Sequence, residues 1–264
     1  MPICIAGMHR SGTSMLTRLL HLCGLDLGPA DRLLQPAADN PEGFWESLPF
    51  VELNKQLLAT LGGAWHTPPL LTPGWERRER FEAIAHEARR LPTELGLHEP
   101  WGWKDPRNSI TLPFWKSIWP DLRVIICVRN PLDVAHSLLA RDQFPIGKSL
   151  RLWFDYHLLL LEAAPPARRV VTHYDSFFLN PAAELQRLLK AVGMKAGPET
   201  IHSACGDIAA GMRHAKFDVG DLESVQAPAE VVEMYRRLCG EAGPVFAAAR
   251  PAAAKTPGSL TNLI

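Results

Sequence analysis

Short apolar runs alternate along the chain with longer segments of helical periodicity. The run PICIA, residues 2–6, predicts a strand that ends at Gly7. The strongest strand pattern is LRVIICV, residues 122–128, which is almost continuously apolar, as expected for a parallel strand buried on both faces. A further run, RRVVTHY at residues 168–174, predicts another strand.

Between these runs, apolar residues recur every three or four positions, which predicts helices. Ser47 is placed to cap the second of them. Strands that alternate with helices predict an α/β fold, in which a parallel β-sheet is flanked by helices. The predicted helices run from about Met15 to Cys23, Ser47 to Leu61, Trp75 to Leu91, Ser109 to Trp119, from Pro131 onward, over residues 149–164, and from Pro181 to Val192.

The composition gives little information about partners. The 264 residues include 28 Lys and Arg and 28 Asp and Glu, so no global field favours nucleic acid or an anionic membrane. We expect one domain over residues 1–249 and a mobile tail over residues 250–264, which are mostly small or polar. The sequence pattern does not determine the oligomeric state.

The cysteines and the hydropathy bear on the cellular compartment. The five cysteines are odd in number and widely spaced, which favours reduced core thiols over a disulfide framework or a metal site. The sequence has neither a run of about 18 apolar residues nor a signal-peptide pattern. These features predict a cytoplasmic protein without a membrane span.

The loop after the first predicted strand, GMHRSGTS, resembles a phosphate-binding loop. Gly7 and Gly12 have the spacing of that motif, and Ser14 fills its hydroxyl position. Thr13 stands where the motif has lysine, and Arg10 lies inside the loop. Backbone N–H groups of residues 10–14, at the start of a helix, predict a site for a phosphate or sulfate group.

A cation follows the central strand, where a triphosphatase would have a magnesium-binding carboxylate. That residue is Arg129, in CVRNP, and an arginine repels a metal ion but binds a phosphate. Together with the missing loop lysine, it predicts an adenine nucleotide held at two separate phosphate sites without a metal ion.

Four motifs occur in one order: GMHRSGTSML, WKDPRN, RVIICVRNPLDVAHSLL and HYDSFFLNP. In this order the chain resembles sulfotransferases that use 3′-phosphoadenosine-5′-phosphosulfate (PAPS), mainly bacterial enzymes with an HRSGTS loop and, more distantly, tyrosylprotein sulfotransferases. The resemblance covers about residues 2–189. It implies the sulfotransferase fold, which is similar to that of P-loop-containing nucleotide hydrolases.

The resemblance also implies roles for single residues, some of which have simpler explanations. Arg10 and Lys104 would stabilise the leaving phosphate as catalytic residues, although a pair with Asp105 would also explain Lys104. Tyr174 would contact the nucleotide, or it is a core tyrosine. The loop residues Arg10, Ser11, Gly12, Thr13 and Ser14 would hold the phosphosulfate, and Arg129 would bind the 3′-phosphate with Ser137, which could instead be an ordinary helix hydroxyl.

The acceptor hydroxyl needs a general base. Glu46, in NPEGFWES, is the first choice, because related enzymes place a catalytic glutamate near this position. Glu42, His9 and His66 remain alternatives, and Glu46 could simply favour the start of a helix. The segment around Arg213 and His214 falls where relatives contact the nucleotide, but the C-terminal phosphate motif of cytosolic sulfotransferases is not evident.

The function predicted from these residues is metal-independent transfer of a sulfuryl group from PAPS to a hydroxyl, with adenosine 3′,5′-bisphosphate (PAP) as the other product. The acceptor could be a small molecule, a carbohydrate or a peptide. A P-loop kinase that uses ATP and Mg²⁺, or an inactive nucleotide-binding scaffold, is the alternative. The side chains that could stack on an acceptor are Trp45, Trp65, Trp101 and Trp103.

Overall fold

A parallel sheet of four strands, in the order β2-β1-β3-β4, organises the chain. The computed structural model describes residues 1–37, 40, 42–206, 208 and 217–248, so the predicted tail, Arg213 and His214 lie outside the described residues. The strands are β1 (Ile3–Ala6), β2 (Gly102–Lys104), β3 (Arg123–Val128) and β4 (Arg169–His173).

Helices connect the strands, as the periodicity predicted. Short 3₁₀ turns add to them at residues 30–32, 75–77, 79–81 and 166–168. The helices are α1 (Thr13–Leu22), α2 (Leu48–Thr60), α3 (Glu82–Glu94), α4 (Asn108–Ile118), α5 (Pro131–Asp142), α6 (Ile146–Ala163), α7 (Ser176–Leu179), α8 (Pro181–Val192), α9 (Pro198–Gly206), α10 (Val219–Ser224), α11 (Ala229–Glu241) and α12 (Pro244–Ala248).

Three features differ from the sequence prediction. The segment from Trp75 forms two 3₁₀ turns before α3 begins at Glu82, so the predicted start of that helix was wrong. Ser47 occupies the N-cap of α2, but its side chain makes no capping hydrogen bond. The edge strand β2 was not predicted, because three residues are too few to show a period.

Helices cover both faces of the sheet, which explains why its central strands are apolar except for Arg123 at the start of β3. Ile5 and Ile125 face a core that includes leucines of α1 and α8. Cys4 and Ile126 face the opposite core, which includes residues of α2, α4 and α6. No helix in the described ranges is both long and apolar enough to cross a membrane.

Parallel pairing brings the carboxyl ends of all four strands together. Lys104, the last residue of β2, pairs with Ile5 of β1, and Val128 of β3 pairs with His173 of β4. We call the residues that directly follow or end the strands, namely residues 7–12, 104–107, 129–130 and 174–175, the carboxyl edge. Ligands of open parallel sheets bind at this edge.

A buried amide holds the turn that follows β2. The Asn54 side chain of α2 donates to Asp105 Oδ2 and to Asn108 Oδ1, both at 2.9 Å. Its oxygen accepts from Thr111 Oγ1 at 2.6 Å and from Trp115 Nε1 at 2.9 Å. All four hydrogen-bonding positions of the amide are therefore used, which fixes the turn that carries Lys104 into the carboxyl edge.

Candidate active site

The loop after β1 adopts backbone conformations that glycine permits. Gly7 has φ +142°, and a Cβ atom there would overlap the carbonyl oxygen of Cys127 on β3. Gly12 has φ +86°, and a Cβ atom there would overlap the ring of Tyr174. Both glycines therefore let the loop lie directly against the sheet edge.

The loop opens into the N-terminus of α1, which begins at Thr13 and has no acidic residue in its first turn. The first N–H groups of a helix have no carbonyl partner within it and attract an anion. The sequence predicted that the N–H groups of residues 10–14 bind an anion. The N–H group of Ser11 instead donates to the Met8 carbonyl at 3.2 Å. Its hydroxyl is buried and has no hydrogen-bond partner within the described ranges.

Lys104 is buried with only 1% of its surface exposed, and it joins two predicted site residues. Its ammonium group donates to Glu46 Oε1 at 2.7 Å and to Ser14 Oγ at 3.2 Å. The alternative pairing with Asp105 is wrong, because that carboxylate binds Arg107 at 3.0 Å. Lys104 and Glu46 thus lie together beside the phosphate-binding loop.

Arg107 is a site residue that the sequence reasoning missed. Its Nη1 lies 3.9 Å from Glu46 Oε2, in addition to its contact with Asp105. Burial, and the negative charge of Glu46, raise the pKa of Asp105, although Arg107 opposes this shift. The signal in the sequence was an arginine two residues beyond the Lys-Asp pair, on the turn that leaves the strand.

Arg129 directly follows β3, as predicted, and several groups hold its side chain in place. Its guanidinium lies 4.7 Å from the centre of the Tyr174 ring, and its Nη2 lies 3.9 Å from Asp133 on α5. Its Nη1 donates to the Arg10 carbonyl at 3.2 Å. Tyr174 is both buried and in contact with this cation, so it serves the core and the site at once.

Arg10 and Ser137 are in direct contact. Arg10 Nε donates to Ser137 Oγ at 2.9 Å, across 127 residues of sequence. Arg10 itself has φ +68°, a left-handed conformation that is unusual for a residue with a side chain. The resemblance assigned these two residues to different ends of the donor, whereas the structure places them together.

A cavity of about 600 Å³ lies against the carboxyl edge and brings most of these residues together. We call it the main cavity. Within the described ranges its lining does not include Ser11, Ser137 or His66, whereas the alternative bases His9 and Glu42 do line it. The predicted site residues in the lining are Arg10, Gly12, Thr13, Ser14, Glu46, Lys104, Arg129 and Tyr174.

Most of the tryptophans proposed to stack on an acceptor have other roles. Trp101 and Trp103 are buried and pack against Phe50, so they belong to the core. Trp45 lines an adjoining cavity of about 90 Å³, which shares Ser14 and Glu42 with the main cavity. Trp65 alone of the four reaches the main cavity.

The part of the chain that the structure describes contains no group of three or more His, Cys, Asp or Glu side chains that could hold a metal ion. The main cavity instead collects basic side chains from several strand ends. Such a site favours an anionic ligand. The basic residues of its lining are Arg10, Lys104, Arg107, Arg129 and Arg141.

His9 lines the main cavity and packs on Trp65, with ring centres 4.4 Å apart. Burial, and then the positive charges of Arg107, Arg141 and Lys104, hold the pKa of His9 well below its usual 6.5. The unfolded chain takes up this proton near pH 6.5, whereas the folded chain does not. The free energy of unfolding should therefore fall as the pH drops below about 6.5.

We predict that His9→Gln reduces this dependence on pH. Urea denaturation at pH 7 and at pH 5 should show a smaller loss of unfolding free energy in the variant than in the unmodified protein. His86→Gln, on the exposed face of α3, is the control and should leave the difference unchanged. An identical difference in the His9 variant would contradict the neutral state of this ring.

Comparisons with known proteins identify the fold and the family of the chain. Among solved structures, the sulfotransferase domain of the Synechococcus PCC 7002 olefin synthase aligns with a TM-score of 0.54 and 14% identity, over 90% of this chain and 94% of that one. Sulfotransferase STF9 from Mycobacterium avium aligns with a TM-score of 0.51 and 15% identity, over 94% and 75%. The sulfotransferase domain of the curacin biosynthetic pathway gives 0.50 and 19%, over 90% and 95%.

Because these structures are less than 25% identical to the chain, their similarity establishes its fold and nothing more. Comparison with curated protein sequences gives no significant match. The family model described as "Sulfotransferase family" matches residues 2–198, which is most of the chain and includes every predicted site residue except the segment around Arg213 and His214. The chain therefore belongs to the sulfotransferase family.

Proposed function

We propose that this protein transfers a sulfuryl group from PAPS to an acceptor hydroxyl without a metal ion. The observation that carries the proposal is the buried contact of Lys104 with both Glu46 and Ser14 at the wall of the main cavity. It places a cation, a carboxylate and the phosphate-binding loop at one point. Those are the groups that an in-line transfer from a phosphosulfate requires.

The residues present suit the donor. The loop of residues 10–14 offers helix N-terminal N–H groups and the buried Ser11 hydroxyl, which lacks a partner within the described part of the chain. The 3′-phosphate would bind at Arg129 and Ser137, beside Tyr174. PAPS supplies an activated sulfuryl group on a phosphate that is a good leaving group.

Each residue then has a defined part in the reaction. The acceptor oxygen forms a bond to sulfur, and the bond from sulfur to the bridging oxygen breaks. Lys104 stabilises the electron pair that remains on that oxygen, and PAP leaves. Glu46 accepts the proton of the hydroxyl, so charge and atoms balance.

The ion pair between Lys104 and Glu46 keeps both buried side chains charged and close together. Each neutralises the other while the cavity holds no ligand, which lowers the cost of burying either charge. When the ammonium turns toward the developing charge on the leaving oxygen, its hold on Glu46 weakens. The carboxylate is then better able to accept a proton.

The alternative functions fit these contacts less well. A magnesium-dependent kinase would place a carboxylate at the end of β3, where Arg129 is held by Asp133 and Tyr174. A binding-only scaffold would not need Lys104 and Glu46 side by side in the main cavity. The acceptor is a hydroxyl of a small molecule, a carbohydrate or a peptide.

Calorimetry tests the identity of the donor. We predict that PAP binds in EDTA and that added Mg²⁺ does not change its affinity, because the site holds both phosphates with cations of the protein. Arg129→Ala should lower the affinity for PAP by roughly 10- to 150-fold, as expected for a lost charge-assisted hydrogen bond. Binding of ATP that requires Mg²⁺, with no binding of PAP, would contradict the proposal.

A carboxylate-to-amide change tests the base. Glu46→Gln should lower kcat by about 10²- to 10⁴-fold and leave the affinity for PAP within about threefold, because the amide cannot accept the proton. The rate is followed as PAP release from PAPS, with an acceptor found by screening hydroxyl compounds. Glu42→Gln removes another carboxylate of the same cavity and serves as the matched variant. If the loss followed Glu42 instead, the assignment of Glu46 would be wrong.

A further inference from the structure

We propose that Arg107 is a positioning residue for the base, which keeps the Glu46 carboxylate charged and in place while Lys104 acts on the donor. Asp105 in turn holds Arg107. This inference rests on the proposed function and deepens its account of the base. It leaves the contacts proposed for the two phosphates of the donor unchanged.

In the part of the chain that the structure describes, two cations form ion pairs with Glu46, and they reach different oxygens. Lys104 Nζ lies 2.7 Å from Oε1, and Arg107 Nη1 lies 3.9 Å from Oε2. The proposed reaction draws the ammonium group of Lys104 toward the leaving oxygen, which releases Oε1. Arg107 is then the cation that remains beside the base.

The charge of the donor makes this second cation necessary. PAPS brings a negatively charged phosphosulfate to the wall of the main cavity, where the Glu46 side chain is buried. A buried carboxylate beside another negative charge and without a cation takes up a proton more readily. A protonated Glu46 cannot accept the proton of the hydroxyl, so a cation has to stay beside it during the transfer.

The turn after β2 holds Arg107 at two points. Its backbone N–H group and its Nη1 both donate to Asp105 Oδ1, at 2.9 Å and 3.0 Å. The other carboxylate oxygen of Asp105 accepts from the Asn54 side chain at 2.9 Å. A planar guanidinium held in this way keeps its place, whereas the ammonium of Lys104 ends a flexible stem and can turn.

The charges of the four side chains balance, so the loss of one cation affects both carboxylates. Lys104 and Arg107 are the cations, and Glu46 and Asp105 are their partners. Burial raises the pKa of Asp105, the positive charge of Arg107 opposes this shift, and the negative charge of Glu46 adds to it. Without Arg107, two neighbouring carboxylates would share Lys104 alone, which favours protonation of one of them.

Steady-state kinetics with PAPS and a screened acceptor separates this role from substrate binding. Arg107→Gln should lower kcat by roughly 3- to 100-fold, because the base is less often charged. The KM of the acceptor, and the affinity for PAP measured by calorimetry in EDTA, should each stay within about threefold. A loss confined to the acceptor KM would show that Arg107 binds the acceptor. That result, or an equal loss of PAP affinity, would overturn the proposal.

A double-mutant cycle tests whether Arg107 acts through Glu46. Arg107→Gln should have no further effect on kcat when Glu46→Gln is already present, because the amide carries no charge to hold. Additive losses would show that Arg107 acts on the reacting groups directly, and they would overturn the positioning role. Arg107→Lys keeps the positive charge and should recover part of the lost rate, whereas the same loss as in Arg107→Gln would contradict a role of the charge.

The controls separate the possible failures, and thermal unfolding shows whether each variant is folded. If Arg107→Gln does not fold, Arg107→Gln combined with Asp105→Asn removes both buried charges and should show the same loss of kcat. Arg151→Gln removes an exposed arginine that pairs with Asp155, and it should leave kcat unchanged. Failure of the unmodified protein to bind PAP would overturn the proposed function itself. Normal turnover with a full rate in Arg107→Gln would overturn only this inference.

Discussion

Repulsion between like charges is the constraint on which the carboxyl edge depends. Parallel pairing brings Lys104, Arg107 and Arg129 to one edge of the sheet, and the loop after β1 adds Arg10. Buried cations without counter-charges would strongly destabilise the fold. The compensating carboxylates come from three places in the chain, the entry to α2, the turn after β2 and the first turn of α5, and they are Glu46, Asp105 and Asp133. Each of these carboxylates lies within 4.0 Å of one of the cations, which lowers the cost of burying the charge.

The sequence predicted those parts of the fold that rest on local pattern. Strands β1, β3 and β4 and the helices around them follow from apolar runs and periodicity, and the glycine loop was correctly placed before α1. Strand β2 was missed because its three residues show no period. The contacts that define the site were not predictable, because Lys104 and Glu46 are 58 residues apart and Arg10 and Ser137 are 127 residues apart. Such pairs are determined by the tertiary fold alone.

The positions of the tryptophans were also not predictable from the sequence, because burial in the core depends on the tertiary fold. Tryptophans close to the WKDPRN motif suggested a surface on which an acceptor could stack. Trp101 and Trp103 instead stack on each other, and Trp103 also stacks on Phe50. Their burial, together with the hydrogen bonds of Asn54, makes the turn after β2 a rigid support for Lys104. Of the four tryptophans, Trp65 is the one that lines the main cavity, where it packs on His9.

The proposed function requires that the carboxyl edge bind a nucleotide through two separate phosphates and without a metal ion. A crystal structure of the full chain grown with PAP in EDTA would show this binding. We expect the 5′-phosphate at the N-terminus of α1 within reach of Lys104, the 3′-phosphate at Arg129, and no metal ion between them. A bisphosphate bound away from the carboxyl edge, or a nucleotide seen there only as the magnesium complex of ATP, would overturn the proposed function.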